Sequence, residues 1–307
     1  MIVDAREVSL RYRNGRGVGP LTLRLENAAC VAIMGPNGAG KSTLLRLLAT
    51  ADRPRAGRIM WNGSSSLTEA RRELGYAPDI AVEEGSLTAR QATHFWCSQW
   101  SQDDVAQCVS AALDTFELLA YADEPVSSLS FGMRRRLCLA QALAHQPRLA
   151  LLDEPTAGLD PAGVDALRQL MWSRRENGAC TVVASNDPEF VASSCDRVLF
   201  LLDGRVVRDA SPDDLLAEVG ESRRAELEVV GHLDLTSLRR IRGVGDVQRD
   251  DGVVSVELLD DAALGRVVMA ADDGNGRLRS VRIHSPDLND SFRHLTGRAC
   301  ERTGARI

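Results

Sequence analysis

The chain has almost no lysine: among its 37 lysines and arginines, Lys41 is the only lysine. A single ammonium kept in an arginine background reads as a place that a planar guanidinium does not fit. Paired cysteines are also missing. Cys30, Cys97, Cys108, Cys138, Cys180, Cys195 and Cys300 are odd in number and scattered, with no Cys-x-x-Cys pair. That excludes a zinc site or disulfide frame and reads as reduced thiols. No run approaches the ~20 apolar residues of a membrane span, and the start lacks a signal-peptide apolar core. The expectation is a cytoplasmic chain that, if it works at a membrane, does so through a partner. Positive charge is short as well. A net charge of −6 disfavours binding driven by phosphate neutralisation, so no nucleic-acid partner is expected.

What is present centres on Gly35-Pro36-Asn37-Gly38-Ala39-Gly40-Lys41-Ser42-Thr43. This is the phosphate-loop pattern of Gly, four residues, then Gly-Lys-Ser. An apolar run at 30–34 precedes it and a helical run at 44–49 follows. Glycines let backbone N–H groups curl around phosphate oxygens, and a helix N-terminus adds partial positive charge. A nucleoside triphosphate is the expected ligand. At 307 residues the chain has room for two units, at ~150 residues each.

Residues 8–12 and 21–25 alternate in strand fashion across the Gly/Asn-rich turn 14–19, as a hairpin does. Tyr12 there has two readings, stacking on a base or packing at a sheet edge. Residues 58–61 read as a strand, and Gly75-Tyr76-Ala77-Pro78-Asp79 ends another. Residues 87–119 show helical spacing, with Ala92, Phe95, Trp96 and Trp100 on one stripe and Val105, Val109, Ala112, Leu113 and Phe116 on a second. The first stripe is either core or, at Trp96 and Trp100, the edge of a groove for a partner helix. A long helix follows at 131–145 with N-cap candidates at 127–130. The all-apolar run 149–152 reads as a buried parallel strand that delivers Asp153 and Glu154 at its carboxyl end. A helix at 161–176, a buried strand at 180–184 and a hairpin over 197–207 complete this part. Beyond about residue 220 the pattern resets: strand 225–230, helix 235–241, strands 244–248 and 253–258, helix 262–271, strand 278–283 and a last helix 287–295. The order βαββαβ is the split-βαβ or ferredoxin-like arrangement.

The phosphate loop, the turn ending in Asp79, the helix start Leu129-Ser130-Phe131-Gly132-Met133, the strand end Leu151-Leu152-Asp153-Glu154-Pro155 and Gly158-Leu159-Asp160 occur in that order. Together they resemble the ATP-binding cassette of ABC transporters, and the resemblance covers about residues 1–218. The fold it implies is α/β: a P-loop cassette with a mixed-sheet core and a helical subdomain at about 79–144, followed by the small α+β domain at 219–307.

The resemblance implies two cassettes, identical or different, closing head to tail over two ATP molecules. Each ATP would lie between one subunit's phosphate loop and the other's Ser130 and Gly132. Mg2+ would be held by Ser42, Asp153 and Asp79, since a hard cation wants oxygen ligands. Glu154 would be the general base, Asp160 would bridge the subunits, and Asn186 would face the γ-phosphate. The triplet Arg134-Arg135-Arg136, Met133 and the ending Ser285-Pro286-Asp287-Leu288 to Leu295-Thr296-Gly297 are similar to the drug- and polyketide-exporting branch that includes the daunorubicin exporter. There the integral-membrane permease is a separate chain. A basic triplet is ordinarily a solvated helix face.

Three positions depart from the family pattern. Asp79 stands in place of a glutamine, Phe131 in place of a signature glycine and Asn186 in place of a histidine. The expectation is an exporter ATPase with slowed turnover. The alternative is a nucleotide-gated regulatory subunit that closes on ATP with little hydrolysis.

Overall fold

A computed structural model describes residues 2–79, 86–100, 104–219, 223–231, 233–250, 253–260, 262–272 and 276–297. The first elements are β1 (Val3–Arg11), β2 (Gly17–Leu25), β3 (Ala29–Met34), α1 (Lys41–Leu48), β4 (Ala56–Trp61), α2 (Leu67–Glu73) and β5 (Leu74–Ala77). Helices α3 (Ala89–Trp100), α4 (Val105–Thr115) and α5 (Phe131–Leu143) follow. Then come β6 (Leu149–Asp153), α6 (Pro161–Glu176), β7 (Cys180–Ala184), α7 (Pro188–Ser194), β8 (Arg197–Leu202), β9 (Arg205–Ala210) and α8 (Pro212–Val219).

Strands β2-β1-β4 form a small antiparallel sheet, and β5-β6-β7-β3-β8-β9 form a second, parallel except where β9 returns against β8. The second sheet explains its own sequences. Strands β6 and β7 are buried at every position, so no polar alternation is left. Each leucine so buried contributes roughly 1.5–3 kcal/mol over an exposed one. Because β5, β6, β7 and β3 are parallel neighbours, their carboxyl ends share one edge, where ligands of open α/β sheets bind. That edge carries Asp79, Asp153 with Glu154, Asn186 and the phosphate loop.

Helices α3, α4 and α5 enclose a core of their own. The buried face of α3 runs through Ala89, Ala92, Thr93 and Cys97, while Phe95 is 52% exposed. The expected stripe therefore splits: Ala92 is core, and Phe95 with Trp96 is not. The Trp100 side chain lies outside the described residues. Three short helices escape the sequence pattern. Among these α2 and α7 have seven residues each, about two turns, too few to show a period, although Ser66 and Asp187 cap them with side-chain hydrogen bonds.

Packing divides the chain between Pro212 and Asp213, within α8, where the sequence suggested 218/219. The second unit contains β10 (Arg223–Gly231), α9 (Leu235–Arg239), β11 (Val244–Asp250), β12 (Val253–Leu258), α10 (Ala262–Ala271), β13 (Gly276–His284) and α11 (Leu288–Thr296). Its strands pair antiparallel in the order β11-β12-β10-β13. Val247, Val254, Val256, Ala263 and Val267 lie in its apolar core. Asp287 and Asp290 form a capping box that starts α11.

Candidate functional site: a phosphate loop facing two carboxylates

The loop after β3 adopts backbone angles that demand glycine: φ is +154° at Gly35 and +109° at Gly40. A Cβ on Gly35 would stand 2.1 Å from the Leu201 carbonyl oxygen, so no side chain fits. The loop turns directly into α1, whose first turn carries no acidic residue, leaving its N–H groups and dipole to an anion. Lys41 is 6% exposed. Its Nζ donates to the Gly35 carbonyl at 2.7 Å and lies 4.0 Å from Glu154 Oε1.

A cavity of about 540 Å³ opens over the loop and is lined also by Asp79, Asp153 and Glu154. Burial pushes the Asp153 carboxyl up, while a hydrogen bond from Ser42 pulls it down. Glu154 is pushed up to about 7, chiefly by burial; Lys41 opposes this and Asp153 and Asp79 add to it. The Glu154 backbone is left-handed, with φ +47°, and is fixed there by its N–H donating to the Ala184 carbonyl at 2.8 Å. A non-glycine residue held so costs of order 1–3 kcal/mol, and such residues cluster at functional sites. Ser42, Asp79 and Asp153 offer only hard oxygens around one cavity, which suits Mg2+ completed by phosphate oxygens and water.

The expected site residues around the loop fall into three groups. Tyr12, Pro36, Asn37, Gly38, Gly40 and Thr43 line the cavity, and the Tyr12 hydroxyl donates to Asp52 at 2.8 Å. Gly35 and Ala39 build the loop without lining the cavity. Asn186, expected to face the γ-phosphate, is buried, and its Oδ1 accepts from the Gly35 N–H at 3.3 Å.

Ser130 caps α5 by accepting from the Met133 N–H at 3.2 Å. Gly132 lies against the Gly158 carbonyl, 2.4 Å from where its Cβ would be, and the Phe131 ring covers Gly158. Phe131 is itself 61% exposed. Asp160 caps α6 and accepts from Arg136 at 2.7 Å within the chain.

Residue-by-residue reading missed Asn14, Arg16, Gly17 and Ala157, which also line the cavity. The turn at 14–19 was legible as a hairpin, but its approach to the loop depends on tertiary packing. The basic triplet is not a solvated face. Arg135 is 2% exposed, and Arg136 binds Glu117 and Asp160. A second cavity of about 490 Å³, mainly apolar, lies between the sheet and the helices, lined by Tyr76, Phe95, Trp96, Leu137, Gln141 and His145.

A parallel sheet that delivers a phosphate loop and two carboxylates to one edge, with a helical insert after β5, defines a P-loop nucleotide-binding cassette. Comparison with known proteins narrows the class. The ABC transporter family model matches residues 18–157. The daunorubicin resistance ATP-binding protein DrrA3 of Streptomyces coeruleorubidus is 32% identical over 94% of this chain and 93% of its own. The Nod factor export ATP-binding protein I of Rhizobium etli is 30% identical over 98% and 95%. Among solved structures, the ATP-binding cassette MJ0796, determined as a dimer bound to ADP and Pi, superposes with TM-score 0.63 at 26% identity, covering 68% of this chain and 98% of that one. The chain belongs to the ATP-binding subunits of ABC transporters, and its cassette is an ATPase.

Proposed function

We propose that the chain binds and hydrolyses ATP to energise export of a small molecule through a separate integral-membrane permease. The single observation that carries the chemistry is the cavity where Lys41, Ser42, Asp79, Asp153 and Glu154 converge. The export assignment is supported by the two relatives named for drug resistance and Nod factor export.

In this reading the N–H groups of residues 35–43 and Lys41 hold the phosphates, and the Tyr12 ring stacks on the base. Ser42, Asp153 and Asp79 hold Mg2+, which when bound neutralises phosphate charge. Glu154 accepts a proton from the attacking water. Ser130 and Gly132 meet the γ-phosphate on a second cassette, and Asp160 contacts that subunit. The second unit is assigned to the ferredoxin-like class on its strand order.

The groove of about 490 Å³ would receive a permease helix, and this is the means of membrane association: no described helix is long and apolar enough to cross a membrane. Charged substitutions at its rim test the assignment. Phe95→Glu with Trp96→Glu is expected to abolish co-purification with a co-expressed permease and to leave MgATP affinity within about twofold, since distant sites act independently. Retained co-purification places the permease elsewhere.

Turnover is proposed to be slowed. Asp79 adds negative charge where the transferring phosphoryl group spreads its own, and Asn186 spends its oxygen on Gly35. A protonated imidazole supplies a charge-assisted hydrogen bond about twice as strong as a neutral amide's. Asp79→Gln with Asn186→His is therefore expected to raise steady-state phosphate release at least about tenfold, some 1.4 kcal/mol of barrier, with little change in ATP affinity. A double variant no faster than the parent shows that both departures are harmless.

A further inference from the structure

Of the three arginines in the first turns of α5, the middle one is the most deeply buried, at 2% exposure. Its hydrogen bonds among the described residues all end on backbone carbonyls. Nη1 donates to Pro78 at 2.5 Å and to Asp79 at 3.4 Å, and Nη2 donates to Asp153. Nε has no partner among the described residues. Pro78 and Asp79 follow β5, and Asp153 ends β6, so one guanidinium ties together the carboxyl ends of two neighbouring strands.

Burying a guanidinium costs free energy that a solvent-facing rotamer would avoid. The carbonyl dipoles offset part of that cost. The negative field of Asp153 and Glu154, whose proton affinity Arg135 lowers in return, offsets more. A planar fork serves two directions at once, which a lysine's single point charge does not. The contacted carbonyls belong to the segments that carry Asp79 and Asp153, while the fork belongs to the helix that Ser130 caps.

We propose that Arg135 is a positioning residue for phosphoryl transfer: it sets the spacing of the Asp79 and Asp153 segments around the phosphates and makes that spacing depend on where α5 sits. This rests on the ATPase reading above. A shift of α5 at the approach of a second cassette would then be felt at the metal-holding segments through one side chain, without new contacts in the loop. Arg134 and Arg136 do not share the role, because they bind the Leu129 carbonyl, Glu117 and Asp160.

Arg135→Met and Arg135→Lys in the full chain test it. Both are expected to bind ATP without Mg2+ within about threefold of the parent, because the phosphate loop is untouched, while kcat falls at least about tenfold at nearly unchanged KM. A misplacement of about 1 Å is enough for losses of up to 10²-fold. Two readouts besides rate should move: the Mg2+ concentration needed for half-maximal ATP binding rises, and amide exchange at Tyr76, Ala77 and Asp79 accelerates as the loop loses its tie. Lysine restores the charge but not the bridge, so it should recover only a small part of kcat. Parental kcat, Mg2+ dependence and exchange in Arg135→Met overturn the proposal. If that variant does not fold, the same parental behaviour in Arg135→Lys overturns it. Failure of the parent itself to bind ATP would instead sink the ATPase reading.

Discussion

Lys41→Ala is expected to weaken MgATP binding by about 10³–10⁴-fold, read by calorimetric titration of the purified chain. Removing one partner of a buried charge pair costs about 3–5 kcal/mol, and each 1.4 kcal/mol is roughly tenfold in affinity. Lys41 meets the conditions for the upper part of that range. It is almost fully buried and held from both sides, by the Gly35 carbonyl and by Glu154. Lys41→Arg should fail as well, because a wider planar fork cannot occupy a space closed by the Gly35 carbonyl at 2.7 Å. Undiminished affinity in both variants would remove the phosphate-loop assignment and with it the proposed function.

The same lysine shows why this site was legible before any coordinates. Phosphate binding depends on local backbone geometry, and local geometry is written in contiguous residues: glycines at the left-handed positions, then the lysine, then α1. The buried strands β6 and β7 were equally plain, because strands covered on both faces carry no polar alternation. Reading failed where the determinant was not local. Arg134, Arg135 and Arg136 look alike in sequence. Only packing against the ends of β5 and β6 sends Arg135 inward. The contact between Asn186 and the loop is equally non-local, its Oδ1 accepting from the Gly35 N–H. Ala92 and Phe95 stood on one apolar stripe, and the packing of α3 with α4 and α5 decided that only Ala92 is buried. The second unit's element order was legible because its strands and helices switch period cleanly, whereas the order of its strands in the sheet comes from the structure.

Glu154→Gln is expected to lower ATP turnover by about 10²–10⁴-fold, the loss typical of a positioned general base, while leaving nucleotide affinity intact. The substitution keeps the side-chain length and the left-handed backbone at φ +47°, so it removes basicity and little else. ATP should therefore accumulate on the chain, and an ATP-bound cassette dimer that the parent dissolves by hydrolysis should persist on size-exclusion chromatography. Acidity supplies an independent test. Burial raises the Glu154 carboxyl to about 7, and a general base works only when ionised. The parent's kcat/KM, which reports the free enzyme, should thus fall as pH drops through about 7 and level off above it. In Glu154→Gln the residual rate should lose that acid limb, because the amide has no proton to gain. Unchanged turnover would show that another group activates the water. A residual rate that keeps the limb would assign the titration to a different carboxyl, for which Asp153, also pushed up by burial, is the nearest candidate.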